Sequence, residues 1–174
     1  VIGFNKLNID GVKFLKISEP IVNLKTKIKK ITNLIFFGYE KLCWDRPHVD
    51  EVIKITENLE FDLIISNELE TLSVSSKIAK NAKIFFDAHE YYPDDRPPSF
   101  EWNHFIQPYV IYLCKKYLSG VQLMSTVCDG IADEYAKNFN ITRPVVINNA
   151  TFYHEITPVK LNENEKIKII HHGG

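Results

Sequence analysis

Short apolar runs rich in β-branched and aromatic residues alternate along this chain with stretches in which apolar residues recur every three or four positions. The runs predict strands at Val1–Phe4, Val12–Ile17, Asp62–Ile65, Lys83–Asp87, Val121–Thr126, Val145–Ile147 and Lys168–His171. The stripes predict helices through Val49, Val52, Ile53 and Thr56, then through Leu69, Leu72, Ser76 and Ala79. A third stripe runs through Ile106, Tyr109, Val110, Leu113 and Tyr117, and a fourth through Val127, Ile131, Tyr135 and Phe139. Asn67 with Glu70, and Thr126 with Asp129, have the spacing of helix N-terminal caps. Strand and helix in alternation predict an α/β fold: a Rossmann-like parallel sheet with helices on both faces.

Composition narrows the picture. Lysine plus arginine (21) nearly balance aspartate plus glutamate (22) in 174 residues, so no global field draws the chain to nucleic acid or to an acidic polymer. Cys43, Cys114 and Cys128 are odd in number and widely spaced, which suits reduced thiols in the cytoplasm rather than a disulfide framework or a zinc site. His171 and His172 are neighbours on a strand and point to opposite faces, so no metal site is expected there or elsewhere. No apolar run approaches the roughly 20 residues that span a bilayer.

One segment breaks the pattern. From Leu24 to Phe37, lysines at 25, 27, 29 and 30 precede the cluster Leu34, Ile35, Phe36 and Phe37. Two readings stand: an amphipathic element on a membrane surface, bringing peripheral contact at the inner face of the membrane, and a core-facing helix with solvated lysines. Near the end, Thr157–Lys166 is polar and contains Pro158, then an apolar run meets Gly173–Gly174. That order reads as a domain over residues 1–156 followed, over 157–174, by a linker and the first strand of a further domain.

The richest segment for chemistry is IFFDAHEYYP, from Ile84 to Pro93, an apolar run ending on a carboxylate, an imidazole and a second carboxylate. Such a run fits a buried parallel strand delivering polar side chains to the carboxyl edge of a sheet, where open α/β folds bind ligands. With DLIISNELET from Asp62, DAHEYYPDD from Asp87, LMSTVCDGIADEYAKNF from Leu123 and VVINNA from Val145, in that order and spacing, the chain resembles the amino-terminal domain of group 1, family-four glycosyltransferases of the GT-B fold. The likeness covers residues 60 to 174 well and residues 1 to 59 weakly; the family's glycine-rich turn after its first strand is not visible in residues 1 to 20.

The resemblance implies retaining transfer of a sugar from a nucleotide-sugar donor to a saccharide or lipid-linked acceptor, in a cleft between two Rossmann-like domains. The donor is a co-substrate, and no cofactor or metal is implied. This domain would hold the acceptor, a second domain would hold the nucleotide, and the setting would be bacterial surface polysaccharide assembly. The isolated domain is expected to be inactive. His89 matches the family's cleft histidine, able to hydrogen-bond the transferring sugar or stabilise its charge; its structural alternative is a loop histidine. Asp87 and Glu90 flank it and can orient the ring or bind an acceptor hydroxyl, while Asp87 can equally cap a turn. Asn67 and Glu68, at the neighbouring strand end, line the same crevice or serve the following helix as cap and first-turn acid. Asp94 and Arg96, with Asp95, lie in a proline-rich loop that reads as an acceptor-facing lid or a solvated connector. Asn148 and Asn149 sit where the family exits toward its linker, or form an Asx turn. Two other classes fit the same alternation: a non-catalytic module that binds a ligand or partner, and a sugar-nucleotide epimerase.

Overall fold

A computed structural model of the chain describes residues 1–4, 8–19, 23–150, 153–155 and 157. The expected strand at 168–171 and the linker before it, apart from Thr157, lie outside the described residues. Two short strands, β1 (Ile2–Gly3) and β2 (Leu15–Lys16), pair with each other. Their pairing is parallel, so the turn that Gly11 makes at φ 77° belongs to a loop and not to a hairpin. Helices α1 (Leu24–Ile35), α2 (Tyr39–Trp44) and α3 (Pro47–Thr56) follow.

The main sheet comprises β3 (Leu63–Asn67), β4 (Lys83–Ala88), β5 (Leu123–Thr126) and β6 (Val145–Val146), all parallel and in sequence order. Between them run α4 (Leu72–Ile78), α5 (Gln107–Tyr117, entered through a turn of π-helix at Trp102–Ile106) and α6 (Asp129–Phe139). This is the α/β, Rossmann-like parallel sheet flanked by helices that the sequence pattern predicts. The helices at all four apolar stripes are present, and α1 and α2 add to them.

Helical cover of the sheet is uneven rather than spread over both faces as expected, for a topological reason. Each strand joins the growing edge by a crossover, and right-handed crossovers that all step the same way put their helices on the same face. That face holds the core: Ile84, Phe86, Ala88 and Met124 from the strands pack with Leu72 of α4, Leu113 and Cys114 of α5 and Tyr135 of α6. Phe86, Leu72, Cys114 and Tyr135 are wholly buried. Burial in apolar surroundings raises the Cys114 thiol to about 12, which makes it an inert core group. On the opposite face Leu63, Ile65, Leu123, Val145 and Ile147 are 51–59% exposed.

The amino-terminal helices attach to the helical layer by polar clasps. Glu40 of α2 accepts from the Trp44 indole at 2.8 Å and from Tyr112 and Lys116 of α5. Those donors hold its carboxyl down at about 2. Arg46, ahead of α3, donates to the Glu70 carboxylate at 3.0 Å, the Glu70 carbonyl at 2.6 Å and Ser73 at 3.2 Å.

One-sided packing makes a direct prediction. Phe86→Ala should cost about 3–5 kcal/mol, because it empties a closed site. Ile65→Ser, one residue position away across the β3–β4 ladder but on the open face, should stay within about 0.5 kcal/mol. Denaturant unfolding of both variants checks this, and equal losses would show that both faces are packed.

Candidate functional site at the carboxyl edge of the sheet

Register builds the site. Asn67 of β3 lies opposite Asp87 of β4, and Asp87 opposite Ser125 of β5, which forms one row across three strands near their carboxyl ends. Side chains alternate along a strand, so with Phe86 and Ala88 turned into the core, Asp87 projects from the other face. The Ser125 hydroxyl donates to Asp87 Oδ1 at 2.5 Å. Asp87 Oδ2 faces His89 Nε2 at 3.1 Å, and the Asn149 amide lies 3.5 Å from His89 Nδ1.

The chain Ser125–Asp87–His89–Asn149 fixes hydrogen-bond roles. Asp87 is satisfied on one oxygen by a hydroxyl donor, and its other oxygen can accept the Nε2 proton. With the Asn149 Nδ2 group facing Nδ1, the tautomer that fits this arrangement carries its proton on Nε2, toward Asp87. The Asn149 contact is at the outer limit of a hydrogen bond, so Nδ1 is the weakly held position. The His89 side chain is 44% exposed and open to a solute.

Behind this group, Tyr135 anchors the loop that follows β4. Its buried hydroxyl accepts from the Tyr92 N–H at 3.1 Å and donates to the Glu90 carbonyl at 2.9 Å. A core tyrosine needs partners for its hydroxyl, and here both are backbone groups of the His89 loop. Glu68 approaches from β3, with its carboxylate accepting from the Tyr92 hydroxyl at 2.9 Å. Glu68 also has φ 71°, a left-handed backbone uncommon outside glycine, directly after the strand.

The sequence-predicted residues divide. Asp87, His89 and Asn149 meet, and Glu68 and Glu90 border them through the Tyr92 and Tyr135 contacts. Glu90 hydrogen-bonds the Asp95 carboxyl, and that bond and the adjacent charge push its own carboxyl above the ordinary range. Asp94 instead accepts from Gln107 at 3.0 Å, and Arg96 lies over the Trp102 ring at 6.0 Å. These contacts tie the proline-rich loop to the start of α5. Asn148 is exposed.

Two caps are placed otherwise than the spacing suggests. A single 3₁₀ turn, Leu69–Thr71, intervenes before α4, and Glu68 precedes that turn. Thr71 Oγ1 bonds the carbonyls of Asn67 and Glu68 at 2.6 and 2.8 Å, closing the turn without the Asn67 side chain. Likewise α6 begins after Cys128 with no side-chain cap, and Thr126 is buried within β5. Asn67 is thereby free of the cap role and stays in the Asp87 row.

Sequence reasoning missed Ser125 and Tyr135 as site residues. Ser125 is a small polar residue inside an apolar strand, the one signal that could have marked it. A pocket of about 280 Å³ lies at the opposite end of the sheet, lined by Gln122, Leu123, Asn140 and Arg143 among others, and contains none of these groups. Among the described residues no three His, Cys, Asp or Glu side chains gather as a metal-ligand set.

The fold and site together define an α/β protein with a polar histidine cluster at the carboxyl edge of a parallel sheet. No family model matches the chain, and neither does any curated protein or solved structure.

The Glu90–Asp95 pair gives a pH prediction. A carboxyl raised in the folded state holds its proton more tightly there than in the unfolded chain, so its contribution to stability is complete below the ordinary glutamate value of about 4.3 and is lost as pH rises through the raised value. Asp95→Asn should bring Glu90 back toward the ordinary range and flatten that loss. The pH dependence of the Glu90 carboxyl carbon shift reads it directly; an unchanged midpoint would rule out the pair as the cause.

Proposed function

We propose that this chain is the acceptor-side domain of a retaining glycosyltransferase, with His89 as the residue that meets the sugar. The observation that carries the reading is the placement of His89 between Asp87 and Asn149, past the carboxyl end of a central parallel strand. That edge is where open α/β sheets bind ligands. The four sequence segments that resemble family-four glycosyltransferases supply the reaction class.

In this reading Asp87, held by Ser125, orients the His89 ring by taking its Nε2 proton in a hydrogen bond. A sugar hydroxyl displaces the long Asn149 contact and donates to Nδ1, and Asn149 then turns to a second oxygen of the same sugar. Glu68 and Glu90 border the acceptor side and offer carboxylate oxygens to hydroxyls. A second domain binds the nucleotide sugar, and the domain alone turns nothing over. Transfer to a saccharide or lipid-linked acceptor at the cytoplasmic face of a bacterial membrane, in surface polysaccharide synthesis, is the setting that the resemblance supports.

The test uses the complete two-domain enzyme, a panel of nucleotide-activated sugars, and release of the nucleotide with and without a saccharide acceptor. Release that requires one donor and an acceptor supports the proposal, and His89→Ala should then lower turnover about a hundredfold or more while stability stays within about 0.5 kcal/mol. Unchanged turnover in His89→Ala removes the histidine from the chemistry. Interconversion of sugar nucleotides without an acceptor would make the protein an epimerase, and no release from folded protein would make it a binding module.

A further inference from the structure

We infer that α1 and the two phenylalanines after it form a docking surface for an anionic membrane. Leu24, Ile28, Ile31 and Ile35 fall at successive helical turns and form one stripe along α1, with each side chain 45–72% exposed. Phe36 and Phe37 follow directly beyond the helix end, at 77% and 67% exposed. Only Leu34 of this helix is buried, so the core-facing reading of the segment holds for that one residue and not for the stripe.

Charge selects the occupant. Residues 24–35 contain four lysines and no acidic residue. With about 3.6 residues per turn, Lys25 and Lys27 flank the stripe on its two sides. Lys29 is paired with Asp45 at 2.8 Å on the protein side of the helix. Among the described residues no carboxylate pairs with Lys25, Lys27 or Lys30. Apolar side chains between lysines, laid along one helix, match the boundary between anionic headgroups and acyl chains, where lysine stems reach back to the phosphates.

The backbone supports the same surface. Asn23 and Thr26 cap the start of α1 reciprocally, each accepting from the other's N–H at 3.0 Å. At the other end Phe37 has φ 54°, a left-handed conformation that is rare for a bulky residue. The Gly38 N–H bonds the Asn33 carbonyl at 2.7 Å and closes the helix there. The segment lies on the helical layer, against α2 and the π-helical turn before α5. No helix among the described residues is long and apolar enough to cross a membrane.

The experiment is co-sedimentation of the chain with vesicles of phosphatidylglycerol mixed with phosphatidylcholine, and with pure phosphatidylcholine. Binding is expected to the anionic vesicles only. Ile28→Asp with Ile31→Asp should weaken it at least about tenfold with an unchanged melting curve, because both side chains are exposed. Lys25→Gln and Lys27→Gln should each weaken it about fivefold, and salt should do the same. Phe36→Ser serves as a second apolar variant outside the helix. No binding to anionic vesicles, equal binding to both compositions, or binding indifferent to the stripe variants would overturn the inference. So would a self-association that the stripe variants dissolve while vesicle binding persists.

Discussion

The parallel register of β3, β4 and β5 is the constraint on which the rest of the structure depends. It sets Asn67, Asp87 and Ser125 in one row and gives Asp87 a hydroxyl donor on one side. Sliding β4 by one residue would turn Asp87 into the core and Phe86 out to solvent, because side chains alternate along a strand. The burial of Phe86 against Leu72, Leu113 and Tyr135 therefore fixes the position of the polar cluster as well as the stability of the sheet. Packing and candidate chemistry are two faces of the same strand.

The order of strands has a second consequence. Because β3 to β6 add in sequence order, α4, α5 and α6 share a face, and Tyr135 from α6 can reach back to the loop after β4. The His89 loop is thus held from beneath by the core as well as by its own residues. The open face carries Leu63, Ile65 and Leu123, an apolar row of the kind usually covered in parallel sheets. Nothing among the described residues covers it.

Much of this was legible before the structure. The apolar run into Asp87 could only be a strand buried on at least one side, and its polar end had to emerge at an edge. Helices α3 to α6 followed from stripes whose members are buried, such as Val49, Leu72, Leu113 and Tyr135. The Asn67 and Thr126 caps misled because spacing does not reveal a competing hydroxyl: Thr71 closes the turn that Asn67 was expected to cap. Ser125 was hidden because its role arises from a residue 38 positions away, across a strand pairing. The stripe on α1 looked the same whether core or solvent faced it. Only tertiary packing, which takes Leu34 and leaves Ile28 and Ile31 outside, distinguishes the two.

If His89 meets the sugar as proposed, its Nε2 proton is held toward Asp87 and its Nδ1 is available to a sugar hydroxyl. Nitrogen NMR of the histidine rings, recorded while a saccharide acceptor is added, tests it most directly. The account predicts a protonated Nε2 and an unprotonated Nδ1 in the free protein, with the Nδ1 resonance moving as the saccharide binds. A protonated Nδ1, or a His89 ring whose nitrogens ignore every saccharide tried while the protein stays folded, would contradict it.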